Sequence, residues 1–136
     1  MKKAWWSLPI LIVSAITAVS IWCASAAAGE ADNLLQKAAA QYDAGAPDEA
    51  AKSYSTLLAE YPDMAPLALF NLGVLAAEKE EFGKSLWYYT MCTRLAHGEL
   101  ADAAERNLAL AREGLYAKYK ARIDKGIISY DSGHGV

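Results

Sequence analysis

A spacing of 35 residues constrains this chain more than any other feature of its sequence. Residues 47–62 read PDEAAKSYSTLLAEYP and residues 82–97 read FGKSLWYYTMCTRLAH. With Ala50 set on Ser85, Tyr54 falls on Tyr89, Leu57 on Cys92 and Leu58 on Thr93. Small, aromatic and medium-sized residues therefore recur at spacings of four and three, which places them on one face of a helix. The preceding segments correspond as well, Leu34 with Leu69 and Ala38 with Gly73. A third copy begins at Asp102, where Arg106-Asn107-Leu108-Ala109 answers Phe70-Asn71-Leu72-Gly73 at an offset of 36. A unit repeating at this period is one supersecondary element that buries its apolar face only by stacking on its neighbours.

Turn residues divide the repeats into helix pairs. Gly45 follows the first periodic segment, as a left-handed residue closing a helix does. Pro47 suits a first helical position, and Asp48 and Glu49 complement the positive end of the helix dipole. Pro62-Asp63 ends the second helix, Pro66 opens the third, and Gly83 and Gly98 bracket the fourth. This spacing predicts helices at 30–44, 47–60, 65–79, 82–96 and 99–122. The last is longest and carries Arg112, Lys118, Lys120 and Arg122 towards its end, where cations favour the dipole. The expected fold is all-α, two helix hairpins covered by a long capping helix whose outer face is polar through Glu105, Arg112, Glu113, Lys118 and Lys120.

The first 28 residues are of a different kind. Lys2 and Lys3 precede an uncharged run from Trp5 to Cys23, and Ala24-Ser25-Ala26 and Ala27-Ala28-Gly29 follow. A basic start, an apolar stretch and a small-x-small exit have the form of a secretory signal, with cleavage after Ala26 or Ala28. The same run is close to the shortest that spans a bilayer, so an uncleaved membrane anchor is the competing reading. Both place the remainder outside the cytoplasm, in the periplasm or tethered facing it. Ile21 and Trp22 stand where a lipoprotein signal would have small residues before Cys23. The expected domains are thus a signal or anchor at 1–28, a helical repeat domain at 29–122 and a flexible tail at 123–136, where Asp131, Ser132, Gly133 and Gly135 surround His134.

Without Lys2 and Lys3 the chain has 11 Lys and Arg against 16 Asp and Glu, a net charge of about −5. Nucleic-acid binding needs clustered cations against phosphate, and no basic run with interleaved aromatics is present. If the signal is removed, Cys92 is the only thiol left, and one Cys cannot form an internal disulfide. The two histidines, His97 and His134, belong to no metal-ligand cluster. The sequence contains no Gly-rich phosphate loop, GxSxG or HExxH. The carboxylates at Asp48-Glu49 and from Glu78 to Glu81 read as helix-end charge and a solvated turn, and His97 as a C-terminal helix cap. The expectation is a binding module with no enzymatic activity, catalytic residue, metal or cofactor.

Gly45, Asp48, Glu49, Ala50, Tyr54, Leu57 and Pro62 resemble the second half of a tetratricopeptide repeat (TPR), and Asn71-Leu72-Gly73 resembles the core of that family's first helix. The resemblance covers about residues 31–119 and implies a TPR-like solenoid. It departs from the family at Ser85, where a small Ala is usual, at His97, where Pro is common, and at Glu80, where Gly is common. The stretch from Asn71 to Arg112 is also similar to the TPR segment of bacterial Bat-type aerotolerance-operon proteins. Those proteins are membrane-associated and often carry a further transmembrane helix and an SH3-like domain. This narrower resemblance implies an envelope partner within a multiprotein system.

In TPR proteins the first helix of each pair lines a concave groove. Carrying those positions over gives Leu35, Gln36, Ala39, Tyr42 and Asp43, then Leu67, Phe70, Asn71, Val74 and Glu78, then Arg106, Asn107, Leu110 and Glu113. Tyr42 and Phe70 offer rigid aromatic area, Asn71 and Asn107 can hydrogen-bond a peptide backbone, and Arg106 can grip a carboxylate. Phe70 and Leu67 could equally pack between helices, while Asn71 and Asn107 are expected to be exposed because an unpaired buried amide is costly. Leu35, Ala39 and Ala103 occupy positions where a carboxylate-clamp TPR has polar groups, so the groove suits a hydrophobic peptide or helix. Trp87, beside Tyr88 and Tyr89, is expected on the outer face as a second contact for a partner or membrane surface. Three readings remain open: an envelope adaptor or scaffold that binds a protein or peptide in its groove, a membrane-anchored assembly factor, and a truncated gene product or accessory subunit whose further domain is missing. Self-association is compatible with each.

Overall fold

The computed structural model describes residues 28–125, and every regular element among them is helical. The readings of 1–27 as part of a signal or anchor, and of 126–136 as tail, lie outside the described residues. Helix α1 covers 28–43. It is followed by α2 (Pro47–Glu60), a 3-10 turn (Pro62–Met64), α3 (Ala65–Glu78), α4 (Phe82–Leu95) and α5 (Glu99–Asp124). All five ranges agree with the sequence reading to within two residues at each end. At the C-terminal end α5 continues through Ile123 and Asp124, which the sequence assigned to the tail. Nothing in that stretch breaks a helix before Gly126.

The 35-residue spacing reappears in the backbone hydrogen bonds. At the end of α1, Gly45 N–H donates to Tyr42 O and Ala46 N–H to Gln41 O; at the end of α3, Glu80 N–H donates to Ala77 O and Glu81 N–H to Ala76 O. Both are Schellman closures, in which the residue after the helix turns left-handed and satisfies orphan carbonyls. Gly45 has φ 74° and Glu80 φ 56°. Tyr61 N–H to Leu57 O and Ala96 N–H to Cys92 O repeat the correspondence at the ends of α2 and α4. Ala96 thus closes α4, while His97, expected as the cap, is exposed.

Glu80 holds a conformation that costs a residue with a Cβ about 1–2 kcal/mol. Lys118 braces the turn from α5, donating to Glu80 O at 2.8 Å with its ammonium 3.8 Å from the Glu80 carboxylate. The same ammonium lies 5.8 Å from the centre of the Phe82 ring. The strained turn is therefore also a tie between the second hairpin and the last helix.

Small residues set the helix spacing. Ala38, Ala50 and Ala68 are fully buried and gather Tyr54, Leu57, Leu72 and Leu75 into one core shared by α1, α2 and α3. A second core joins α3, α4 and α5 through Leu69, Tyr89, Cys92, Ala96, Ala104 and Ala111. Ser85, which stands where Ala50 stands one repeat earlier, is fully buried as well, and its hydroxyl donates to Gly73 O at 2.9 Å. The departure from Ala keeps the small volume and satisfies the added polar group. In α5 the buried Ala104 and Ala111 lie 36 residues after the buried Ala68 and Leu75 and 35 after the buried Leu69 and Ala76, so burial accommodates the offset seen at Asn71 and Asn107.

Burial raises the phenol pKa of Tyr54, where Asp43 adds to the effect, and of Tyr89, where the Asn107 hydrogen bond opposes it in part. The neutral phenol is the form the fold stabilises. This contribution is complete below the unfolded tyrosine pKa of about 10 and is lost as pH rises through the folded values. Helical ellipticity should therefore fall together with the rise of phenolate absorbance above about pH 10. Full phenolate absorbance with unchanged ellipticity would show that neither ring is held by the core.

The polar outer face expected for α5 is only partly present. Glu105, Arg112, Glu113, Lys118 and Lys120 are exposed, but so are Leu110, Tyr116, Tyr119 and Ile123 on the same helix. With 26 residues against 14 in each of α2, α3 and α4, α5 is about 39 Å long against about 21 Å, and outreaches the helices it covers.

Candidate partner-binding groove

Residues expected on the groove meet most closely between α3 and α5. Val74, Ala77 and Glu78 line one wall of a cavity of about 210 Å³, and Asn107, Leu110 and Ala111 line the other. Phe82 and Tyr89 of α4 complete it. Of the residues expected from sequence, Val74, Asn107 and Leu110 are brought together here, with Glu78 beside them. Leu110 is 63% exposed, so its side chain stands open rather than packing inward. Tyr42 joins this rim from α1 by donating its hydroxyl to Glu78. That hydrogen bond, with the Glu78 and Asp43 charges adding to it, raises the Tyr42 pKa.

The other expected residues lie outside the cavity. Leu35 is half-buried against the first core, while Gln36, Ala39, Asp43, Arg106 and Glu113 are exposed. Leu67 and Phe70 are half-buried, and Phe70 packs edge-on against Tyr89 with ring centres 5.8 Å apart. Asn71 and Asn107, expected to be exposed, are instead half-buried and already engaged. Asn71 Nδ2 donates to Leu67 O one turn back, at 2.9 Å, and Asn107 Nδ2 donates to the Tyr89 hydroxyl at 3.2 Å. The amide cost that argued for exposure is met within the chain. Trp87 is 56% exposed, as expected, with Tyr88 edge-on at 5.2 Å.

Phe82, Ala77, Tyr89 and Ala111 were not read from sequence as groove residues. The Tyr89 ring both fills the second core and faces the cavity. A signal for Phe82 and Tyr89 existed: they are seven residues apart on α4 and so share a face, and Gly73 and Gly114 are small where the two rings approach.

The arrangement suits an apolar side chain. The walls are mostly aliphatic and aromatic, with the Glu78 carboxylate and the Asn107 amide at the edges for a partner's polar groups. Among the described residues no group of three or more His, Cys, Asp or Glu is placed to hold a metal ion. Burial pushes the Cys92 thiol pKa up, and the thiol donates to Pro66 O at 3.2 Å, so it is held in its unreactive form. Among the described helices none is long and apolar enough to cross a membrane. Comparisons with models of protein families, with curated proteins and with solved structures return no match.

Proposed function

We propose that this chain is an envelope TPR adaptor that acts by binding, holding an apolar segment of a partner protein across the groove between α3 and α5. The observation that carries the reading is the cavity lined by Val74, Glu78, Asn107 and Leu110, open at Leu110 and floored by the Tyr89 ring that the core fixes and the half-buried Phe82 ring. Its supports are the 35-residue recurrence of closures and buried positions, one residue longer than the period of about 34 of a TPR array, and the resemblance of Gly45 to Pro62 and of Asn71 to Gly73 to that family. A preformed apolar site with a few polar edges binds without reorganising, which keeps the entropy cost of association low. The N-terminal run, as signal or anchor, would deliver the groove to the periplasmic side.

A photo-crosslinking residue placed at Leu110 should trap a defined partner in envelope preparations, whereas the same residue at Trp87, the second contact expected from sequence, should not, because Trp87 does not line this cavity. Val74→Glu should weaken capture about tenfold or more, since it sets a charge where an apolar side chain is buried, with far-UV circular dichroism unchanged. Capture from position 87 alone, or capture indifferent to Val74→Glu, would refute the groove. The intact mass of the recovered chain reports whether the N-terminal run has been removed.

A further inference from the structure

Glu78 is the last residue of α3, and its charge is out of place there. A helix C-terminus carries the negative end of the dipole and favours a cation. The last turn of α3 holds none, and Lys79, which follows, is held by Asp48. The next two carboxylates are matched: Glu81 pairs with Lys84 at 2.9 Å and Glu80 with Lys118 at 3.8 Å. Glu78 has no such partner among the described residues. A charge that its own helix disfavours, and that nothing beside it neutralises, is the kind of local mismatch that functional positions show.

The same carboxylate is held in place. The Tyr42 hydroxyl, reaching across from α1, donates to Oε1 of Glu78 at the edge of the cavity between α3 and α5, and among the described residues Oε2 meets no donor. On the facing wall, Asn107 gives its N–H to the Tyr89 hydroxyl, which leaves the amide oxygen as an acceptor. The other lining residues are Val74, Ala77, Phe82, Tyr89, Leu110 and Ala111, and none of the eight is Lys, Arg or His. An apolar side chain seated between Val74 and Leu110 therefore has acceptors beside it and no positive charge. The group that fits has an aliphatic stem and a cationic head rich in N–H donors, as Lys and Arg do. A partner carboxylate or phosphate would instead meet Glu78 as like charge.

We propose that the groove takes an apolar segment bearing a lysine or arginine beside its buried side chain, and that Glu78 receives that cation. This rests on the groove reading above and adds the chemistry of its occupant. Tyr42 is a positioning residue, since it touches Glu78 rather than the partner. A bound cation satisfies Oε2 and neutralises the end of α3 in one step, so the empty groove holds a mismatch that only a cationic partner removes.

Selection of a phage-displayed library of random peptides on the full chain in mild detergent tests this. The expected winners carry Lys or Arg within about four positions of a Leu, Met or Phe. Selection on Glu78→Gln should keep the apolar residue and lose the cation, because Gln still accepts from Tyr42 while the charge is gone. By fluorescence anisotropy, the best peptide should bind Glu78→Gln about two- to fivefold more weakly, and Glu78→Lys at least about tenfold more weakly. Tyr42→Phe should weaken this peptide but not its analogue with norleucine in place of the cation. The melting temperature of Glu78→Gln should hold or rise, as expected for a charge set against the dipole. Glu105→Gln, at an exposed carboxylate outside the cavity, should change nothing, which separates Glu78 from the general acidity of the chain. Apolar winners without a cation would overturn this inference and leave the groove standing. So would a cation preference that survives Glu78→Gln or is lost with Glu105→Gln. Selection indifferent to Val74→Glu would overturn the groove and this inference with it.

Discussion

Gly73→Ala should melt below the parent chain, although alanine is the better helix former. A Cβ at position 73 would lie 2.7 Å from Cε1 and 2.9 Å from Cδ1 of Tyr89. The ring has little room to retreat: Tyr89 is 2% exposed, packs on Phe70 and receives a hydrogen bond from Asn107. Overpacking a tight contact costs about 1–3 kcal/mol. Removing a mid-helix glycine returns only about 0.5–1 kcal/mol. The net loss of about 1–2 kcal/mol lowers the melting temperature by about 5–15 °C for a domain of this size. Tyr89→Leu in the same chain should relieve the clash, making the double variant more stable than the sum of the two losses predicts. Gly114→Ala, where the Cβ would meet the half-buried Phe82 ring, should cost less because that ring can swing outward. A rise in melting temperature for Gly73→Ala would mean that α3 and α4 are not so close.

Leu57→Ala carries the largest expected loss. Leu57 is fully buried where α2 meets α1 and α3, and it is among the largest side chains sealed from solvent. Removing its side chain beyond Cβ costs about 2–5 kcal/mol through lost transfer energy and an unfilled cavity. A small domain has only about 5–15 kcal/mol in total, so the first hairpin should open well before the second in a denaturant titration. Leu57→Met, which keeps the volume, should cost less than about 1.5 kcal/mol. Equal losses for alanine and methionine would argue that polarity or backbone change matters at this site rather than packing.

Helix placement was legible because it rests on local chemistry. Pro47, Gly45, Pro66 and Gly98 stop or start helices by their own backbone preferences, and the three-four recurrence of Ala50, Tyr54 and Leu57 marks the buried face without reference to any partner. The groove was legible in part, at Val74, Asn107 and Leu110. What remained hidden depends on what a side chain meets across the bundle. Whether Asn107 is exposed depends on the Tyr89 hydroxyl lying within its reach, and Asn71 satisfies itself by bonding back along its own helix. Tyr89 serves two surfaces at once, the core and the cavity, which the recurrence of one helix face does not separate. The overhang of α5 depends on how far its neighbours extend, and only assembled helices reveal that.

Cys92 makes the molecule its own timekeeper. Its sulfur is sealed among α3, α4 and α5, bonded to Pro66 O and kept protonated by burial. A thiol reagent gains access only in the moments when the second hairpin parts from its neighbours. The rate at which the Cys92 peptide acquires label therefore records how often that happens. It does so without denaturant and without altering the sequence. A partner seated over Leu110, on the helix that helps cover Cys92, would make the clock run slower, so occupancy of the groove could be read from a sulfur atom that never touches the ligand.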